Sequence, residues 1–248
     1  MEHPISFEWN GATLLGVYHQ GKGPAAPGVL YIHGMPGDRV DTRCMLVRMA
    51  RRLQTRGVAG LRVDLYASGV SDGSFHTVTL LQELEQVLYL MKEVRRQQLW
   101  QGPLILLGFS EAAKLAVEAA RRSGDAAGLC LWNGMVAPEP WAAEQKLRRL
   151  HRVEGHLVFD MGYGVWVNRA VVKEAQQLTI SCAESLPGVP VLGVFGGADE
   201  MTRASRTMLE RAGHPTVIIP GADHLFTSTE WEAAAMAATE QWVCERFV

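Results

Sequence analysis

The sequence predicts an α/β fold: a mostly parallel, twisted sheet with helices on both faces and an inserted lid. Three observations carry this. Short continuous apolar runs (Val29–Ile32, Gly60–Leu65, Leu104–Phe109, Gly128–Trp132, Val189–Phe195) have the length of strands buried on both faces. Helical-period segments alternate with them, which implies parallel pairing through right-handed crossovers. The alternation breaks once, between Asn133 and Pro187, over a stretch too long for a plain loop. The expected division is a core of residues 1–137 and 186–248, with a lid over 138–185.

The chain opens with Ile5–Trp9 and Thr13–Tyr18 around Asn10-Gly11, a hairpin signal that predicts an antiparallel pair at a sheet edge. A Gly- and Pro-rich loop leads to the first buried strand, which ends at His33-Gly34-Met35-Pro36-Gly37. Asp41 is expected to cap the next helix, where Leu46, Met49, Ala50 and Leu53 form the apolar face and Gly57 the stop. The strand Gly60–Leu65 runs into a turn-rich loop, Asp64 to Gly73. A helix from about Val78 to Val94 follows, with Leu80, Leu84, Val87, Leu88 and Met91 inward.

Leu104–Phe109 stops at Ser110, and a helix with Leu115, Val117, Ala119 and Ala120 begins at once. A serine between a buried strand and a helix must sit in a very tight turn. Gly108 before it and the small Ala112 after it suit that crowding, although Ala112 stands where such turns commonly have glycine. An ordinary strand-to-helix turn is the competing reading.

Within 138–185, Pro138 to Arg149 reads as a basic helix-like stretch. His156–Phe159 and Tyr163–Val167 read as a small hairpin, and Arg169–Leu178 as a helix. Trp141, Met161, Tyr163 and Trp166 are candidates either for a substrate pocket or for the contacts that hold the lid to the body. The run Lys146, Arg148, Arg149 and Arg152 suits a solvated outer face. Beyond the lid, Val189–Phe195 ends at Gly196-Gly197-Ala198-Asp199, a helix spans Thr202–Arg211, and the short strand Thr216–Ile219 leads to Asp223-His224. Thr227 with Glu230 reads as the capping box of the last helix.

A serine hydroxyl needs a base, and the base needs a third group to fix its tautomer. His224 and Asp199 each follow a strand, on the rim that carries Ser110, in the chain order Ser, Asp, His expected of this topology. The other histidines lie in edges, loops, the lid or a helix end. Glu200 and Asp223 are the rival acids, the one misdirected and the other too close in sequence to His224. The backbone N–H groups of Glu111 and Met35 are the expected oxyanion donors, because Pro36 has none to give. The Glu111 carboxylate must then point to solvent or find a cation.

Composition limits the rest. A hydrophobic content of 48% over 248 residues builds a full core, and a net charge of −2 offers no excess for nucleic acid or an anionic membrane. Cys44, Cys130, Cys182 and Cys244 lie far apart without metal-type spacing, as expected of reduced thiols. No run reaches membrane-spanning length and the N-terminus lacks a signal pattern, so a cytoplasmic protein with neither metal nor cofactor is expected.

Together these motifs resemble the α/β-hydrolase superfamily from about Ile5 to Val248. The resemblance rests on His33–Gly37, the Asp64 to Ser71 loop, Gly108–Ala112, Gly197–Asp199 and Gly221–His224. Departures are Ala112 for glycine and Tyr66-Ala67 where many members carry Arg-Gly. The resemblance implies an α/β-hydrolase fold and a serine hydrolase with Ser110 as nucleophile, Asp199 as acid and His224 as base. Dehalogenases and epoxide hydrolases, which use an aspartate nucleophile, are disfavoured by Ser110. The lid is similar to that of cinnamoyl and feruloyl esterases. The expected partner is a small ester or thioester. Thioesterases, aminopeptidases, carbon–carbon bond hydrolases, perhydrolases and a catalytically idle binding member remain open.

Overall fold

The computed structural model describes residues 1–138, 150–161, 164–184 and 188–248. Strands β1 (Glu2–Trp9) and β2 (Ala12–His19) form the predicted edge hairpin. Asn10 and Gly11, both left-handed, make the turn that the twist of a two-residue hairpin requires. Then come β3 (Gly28–Ile32), β4 (Ala59–Val63), β5 (Leu104–Phe109), β6 (Ala126–Trp132), β10 (Val191–Gly196) and β11 (Thr216–Ile219). The sheet order is β1-β2-β4-β3-β5-β6-β10-β11, parallel from β4 onward.

The pleat sends alternate residues to two cores. Leu30 and Ile32 of β3 face α2 (Leu80–Arg96) and α3 (Ala112–Ser123), where Leu84, Val87, Leu115 and Val117 bury them. Val29 and Tyr31 face α1 (Met45–Thr55) and α6 (Thr229–Phe247), against Leu46, Met49, Leu53 and Trp242. With both faces covered, the interior strands read as continuous apolar runs rather than alternating ones.

Two caps differ from expectation. Asp41 accepts from the Thr42 N–H at 2.6 Å and caps a short 3₁₀ turn, so α1 starts only at Met45. The cap of α6 is Ser228, which accepts from the Glu230 N–H at 3.1 Å. Thr227 is engaged elsewhere, because both its hydroxyl and its N–H bond the Asp223 carboxylate.

Main-sheet order passes from β6 straight to β10. The intervening β7 (Leu150–Val153), β8 (His156–Asp160) and β9 (Trp166–Asn168) form a separate antiparallel sheet, followed by α4 (Ala170–Glu184) and, after β10, α5 (Arg203–Arg211). The predicted hairpin is therefore part of a three-stranded sheet. Strand β7 escapes a periodicity reading because it is four residues long and largely exposed. The helix-like stretch expected over 139–149 lies outside the described residues.

Among the buried residues of α2 are the polar Glu83 and Gln86. Gln86 is satisfied, accepting from the Tyr66 N–H at 2.6 Å and donating to the Gln82 carbonyl. Glu83 is only 4% exposed, and burial pushes its carboxyl from 4.5 up to about 8, helped by the charges of Glu111 and Glu174. A group raised in this way contributes stability below its unfolded value and loses it as pH rises toward its folded value. The wild type should therefore lose stability between about pH 4.5 and 8, a loss that Glu83→Gln escapes because Gln does not titrate. The melting temperature of Glu83→Gln relative to wild type should rise across that window and level off above it, measured by thermal scans at graded pH.

Candidate functional site

The site is built on the turn between β5 and α3. Ser110 sits at φ +57°, a left-handed conformation that costs a non-glycine residue ~1–3 kcal/mol and persists only where the surroundings enforce it. The enforcement comes from β6 and the segment just after it: the Ser110 N–H donates to the Trp132 carbonyl at 2.9 Å, and the Ser110 carbonyl accepts from the Met135 N–H at 3.1 Å. Only glycine fits at position 108, where a Cβ would lie 2.8 Å from the Ala112 carbonyl oxygen and 2.9 Å from the Ala113 Cα. Ala112 itself is tolerated and buried.

The structure brings the three residues expected from the sequence into one chain of hydrogen bonds. Ser110 Oγ lies 2.8 Å from His224 Nε2, and His224 Nδ1 lies 2.7 Å from Asp199 Oδ2. Asp199, buried at the end of β10, also accepts from Thr202 Oγ1 at 2.7 Å and from the Met201 N–H at 3.1 Å. A carboxylate held by these donors is an acceptor, so Nδ1 carries the imidazole proton and Nε2 is left to accept from the serine. Among the rivals, Glu200 pairs with Arg203 away from the ring, and Asp223 is occupied by the N–H groups of Leu225 and Thr227.

Asn133, just after β6, is a residue whose part the sequence reading missed. Fully buried, it donates through Nδ2 to the His224 carbonyl at 2.8 Å and the Asp223 carbonyl at 3.3 Å, while its Oδ1 accepts from the Gly196 N–H at 2.7 Å. One amide thus ties the histidine loop to the strand that ends near the acid. Aspartate would replace the donor with an acceptor aimed at two carbonyl oxygens. Sequence reading used Asn133 to mark where the strand–helix alternation breaks and did not find its tie, since its hydrogen-bond partners are distant in the chain.

The Glu111 carboxylate has found its cation: Lys114 Nζ reaches both oxygens at 2.8 Å, one turn along the buried face of α3. Among the described hydrogen bonds, neither the Glu111 N–H nor the Met35 N–H is a donor. The loop holding Met35 is shaped by the Gly37 N–H bonding the Gly34 carbonyl at 2.6 Å and by buried His33. His33 Nε2 faces the Leu65 N–H at 3.3 Å, which leaves Nδ1 to donate to the Gly34 carbonyl at 3.0 Å.

Directly after Met35, Pro36 and Gly37 begin one wall of a cleft of about 430 Å³, within the size range of small-molecule sites. Trp166 lines this cleft, 41% exposed. Met161 instead stands at the surface, 60% exposed and away from the cleft's lining, because β8 ends one residue before it. Trp141 and Tyr163 lie outside the described residues. Among the described residues no group of three His, Cys, Asp or Glu side chains is arranged to hold a metal ion, and no helix is long and apolar enough to cross a membrane.

A strained serine turn at the carboxyl end of a parallel sheet, with a histidine and a buried carboxylate on the same rim, is the arrangement of an α/β-hydrolase. The model of the alpha/beta hydrolase family matches residues 29–238, and the chain belongs to that family. Among curated proteins none matches the sequence. Among solved structures it is similar to Est1E from Butyrivibrio proteoclasticus with ferulic acid bound, at 22% identity and a TM-score of 0.82 over 98% of each chain. A thioesterase domain from the curacin biosynthetic pathway shares 16% identity, with a TM-score of 0.66 over 98% of this chain and 99% of that one. A soluble variant of monoglyceride lipase from Saccharomyces cerevisiae, in complex with a substrate analog, shares 13% identity, with a TM-score of 0.75 over 100% of this chain and 96% of that one. At these identities the likeness is one of fold.

Replacing Asn133 should loosen the histidine loop. Asn133→Ala is expected to lower turnover of an ester substrate by ~10²-fold, the scale of a misplaced catalytic group, with a smaller change in KM. It should also cost ~1–3 kcal/mol of stability, because the buried Gly196 N–H loses its partner. Steady-state kinetics well below the melting temperature, alongside urea unfolding, separate the two effects.

Proposed function

We propose that this α/β-hydrolase is a serine hydrolase that cleaves a carboxylic ester of a small to medium apolar or aryl substrate through an acyl-enzyme. The observation that carries the reading is the continuous hydrogen-bond chain from Ser110 Oγ through His224 to Asp199. In this mechanism His224 Nε2 takes the Ser110 proton as the oxygen attacks the ester carbonyl. Asp199 holds the ring and stabilises the imidazolium, which then protonates the departing alcohol. Water repeats the sequence on the acyl-enzyme. The Met35 and Glu111 N–H groups receive the oxyanion, each such donor being worth ~3 kcal/mol. The Lys114 ion pair supports this assignment, since it draws the Glu111 carboxylate away from its own N–H and from the developing negative charge.

Residues 138–185 serve as the lid in this reading, and Trp166 as one wall of the apolar site. Met161, at the surface, has no place in it. Thioester cleavage is compatible with the same groups. A screen of p-nitrophenyl esters and acyl thioesters of graded chain length, with a fluorophosphonate probe directed at Ser110, separates the substrate classes and tests for an idle protein.

Ser110→Ala should reduce turnover by at least ~10³-fold and abolish probe labelling, while the melting temperature stays close to wild type because one small hydroxyl is lost. Turnover at wild-type levels in that variant would sink the mechanism. Trp166→Ala should lower kcat/KM for bulky aryl or medium-chain esters by ~1–3 kcal/mol of discrimination while sparing acetates, which are too short to reach the indole. Equal losses for both would make Trp166 a residue that only holds the insertion in place.

A further inference from the structure

We infer that Met135 is an oxidation site of this protein, at which a peroxide converts the thioether beside the nucleophile into a sulfoxide and stops ester turnover. The inference rests on the reading of Ser110 as the nucleophile and adds a modification site to it.

Met135 Sδ lies 3.7 Å from Ser110 Oγ, the oxygen that His224 Nε2 approaches to 2.8 Å. A thioether sulfur is a weak acceptor, so the serine O–H stays directed at the imidazole. The backbone that carries Met135 is anchored on both sides. The Met135 N–H donates to the Ser110 carbonyl at 3.1 Å, and the Asn133 N–H donates to the Val194 carbonyl at 2.8 Å. The Val136 and Ala137 N–H groups both donate to Ser205 Oγ of α5 at 3.0 Å. Gly134 passes so close to α3 that a Cβ there would lie 2.7 Å from the Ala113 Cβ. A change at the sulfur is therefore felt at the serine rather than absorbed by the segment.

The oxidant has the same access as the substrate. Met135 and Ser110 are each 9% exposed, whereas Met45, Met49 and Met91 are closed off in the cores. An opening that lets an ester reach Ser110 admits hydrogen peroxide, a far smaller molecule, to the residue touching it. Met35, half-buried in the loop after β3, is the competing sulfur. In the reaction a sulfur lone pair attacks one peroxide oxygen as the O–O bond breaks. The sulfur keeps that oxygen, and the other leaves with both protons as water, so the thioether is oxidised and the peroxide reduced. The new oxygen is a far better acceptor than the sulfur that carries it. Beside Ser110 Oγ it draws the serine O–H away from His224 Nε2, and the base then has no aligned proton to take.

The test exposes wild type, Met135→Leu and Met35→Leu to graded hydrogen peroxide. Turnover of a p-nitrophenyl ester is followed against each protein's own untreated rate, and peptide mass spectrometry maps the added oxygen. Wild type should lose at least about 90% of its turnover, a part of the ~10²–10⁴-fold that base catalysis supplies, in step with oxygen gain at Met135. The loss should fall on kcat more than on KM, with the circular dichroism spectrum unchanged. Met135→Leu keeps the size of the side chain without its sulfur, and should hold its rate at doses that silence wild type. Met35→Leu should fall as wild type does, and the exposed Met161 should be oxidised ahead of the loss without contributing to it. Equal inactivation of Met135→Leu, protection by Met35→Leu alone, recovery with dithiothreitol (which marks a cysteine), or unfolding on oxidation overturns the inference. An active wild type whose Met135 gains no oxygen overturns it too and leaves the hydrolase reading standing. A wild type that cleaves no ester and takes no fluorophosphonate overturns the hydrolase reading, and oxygen gain at Met135 there still upholds the oxidation site.

Discussion

The left-handed backbone at Ser110 is the constraint on which the rest of the site depends. An L-residue at φ +57° relaxes unless its neighbours hold it, and here the end of β6 and the residues just after it do so through two backbone hydrogen bonds, one to the serine N–H and one to its carbonyl. Closing the turn brings α3 against β5 so tightly that position 108 admits no side chain. The strained turn has two consequences at once. It lifts the hydroxyl above the sheet, and it leaves the Glu111 N–H at the mouth of a helix, where partial positive charge collects.

Strand β6 also organises the other half of the site. Trp132 takes the serine N–H, and the next residue, Asn133, ties the histidine loop to the end of β10. The parallel sheet therefore acts as a common ruler: three loops from three strands are measured against one strand end. This is why residues 110, 199 and 224, far apart in the chain, meet within hydrogen-bond distance. Charge is handled just as locally. Glu111 is neutralised by Lys114 within its own helix, and Glu83 beneath it is held protonated up to about pH 8 by burial. The carboxylate that follows the serine in the chain is thus kept paired.

The insertion between β6 and β10 is attached to the body by specific polar contacts. Ser181 of α4 donates to Glu118 of α3 at 3.0 Å, and Glu174 accepts from the Leu81 N–H at the start of α2 at 3.1 Å. Glu118 also holds Arg121 and Arg122, and these hydrogen bonds draw its carboxyl down to about 2. The helix that starts beside the serine therefore also bears α4. On the proposed reading, specificity comes from this added layer, while the generic chemistry belongs to the strand ends.

Much of this was legible in the sequence. Buried parallel strands write themselves as uninterrupted apolar runs, and a nucleophile turn demands small residues at fixed offsets, so the fold class and the grouping of Ser110, Asp199 and His224 could be read from order and spacing. What could not be read were matters of partnership across the chain. Thr227 looks as good a cap as Ser228 until Asp223 is seen to occupy it. Strand β7 has too few apolar residues to announce itself, and Met161 falls just past the end of β8 and faces solvent. Asn133 is an unremarkable letter in the chain. Periodicity reports only which face of an element is apolar. Hydrogen-bond partners for an amide or hydroxyl are chosen by segments that the tertiary structure brings together, so the tie of Asn133 was decided there.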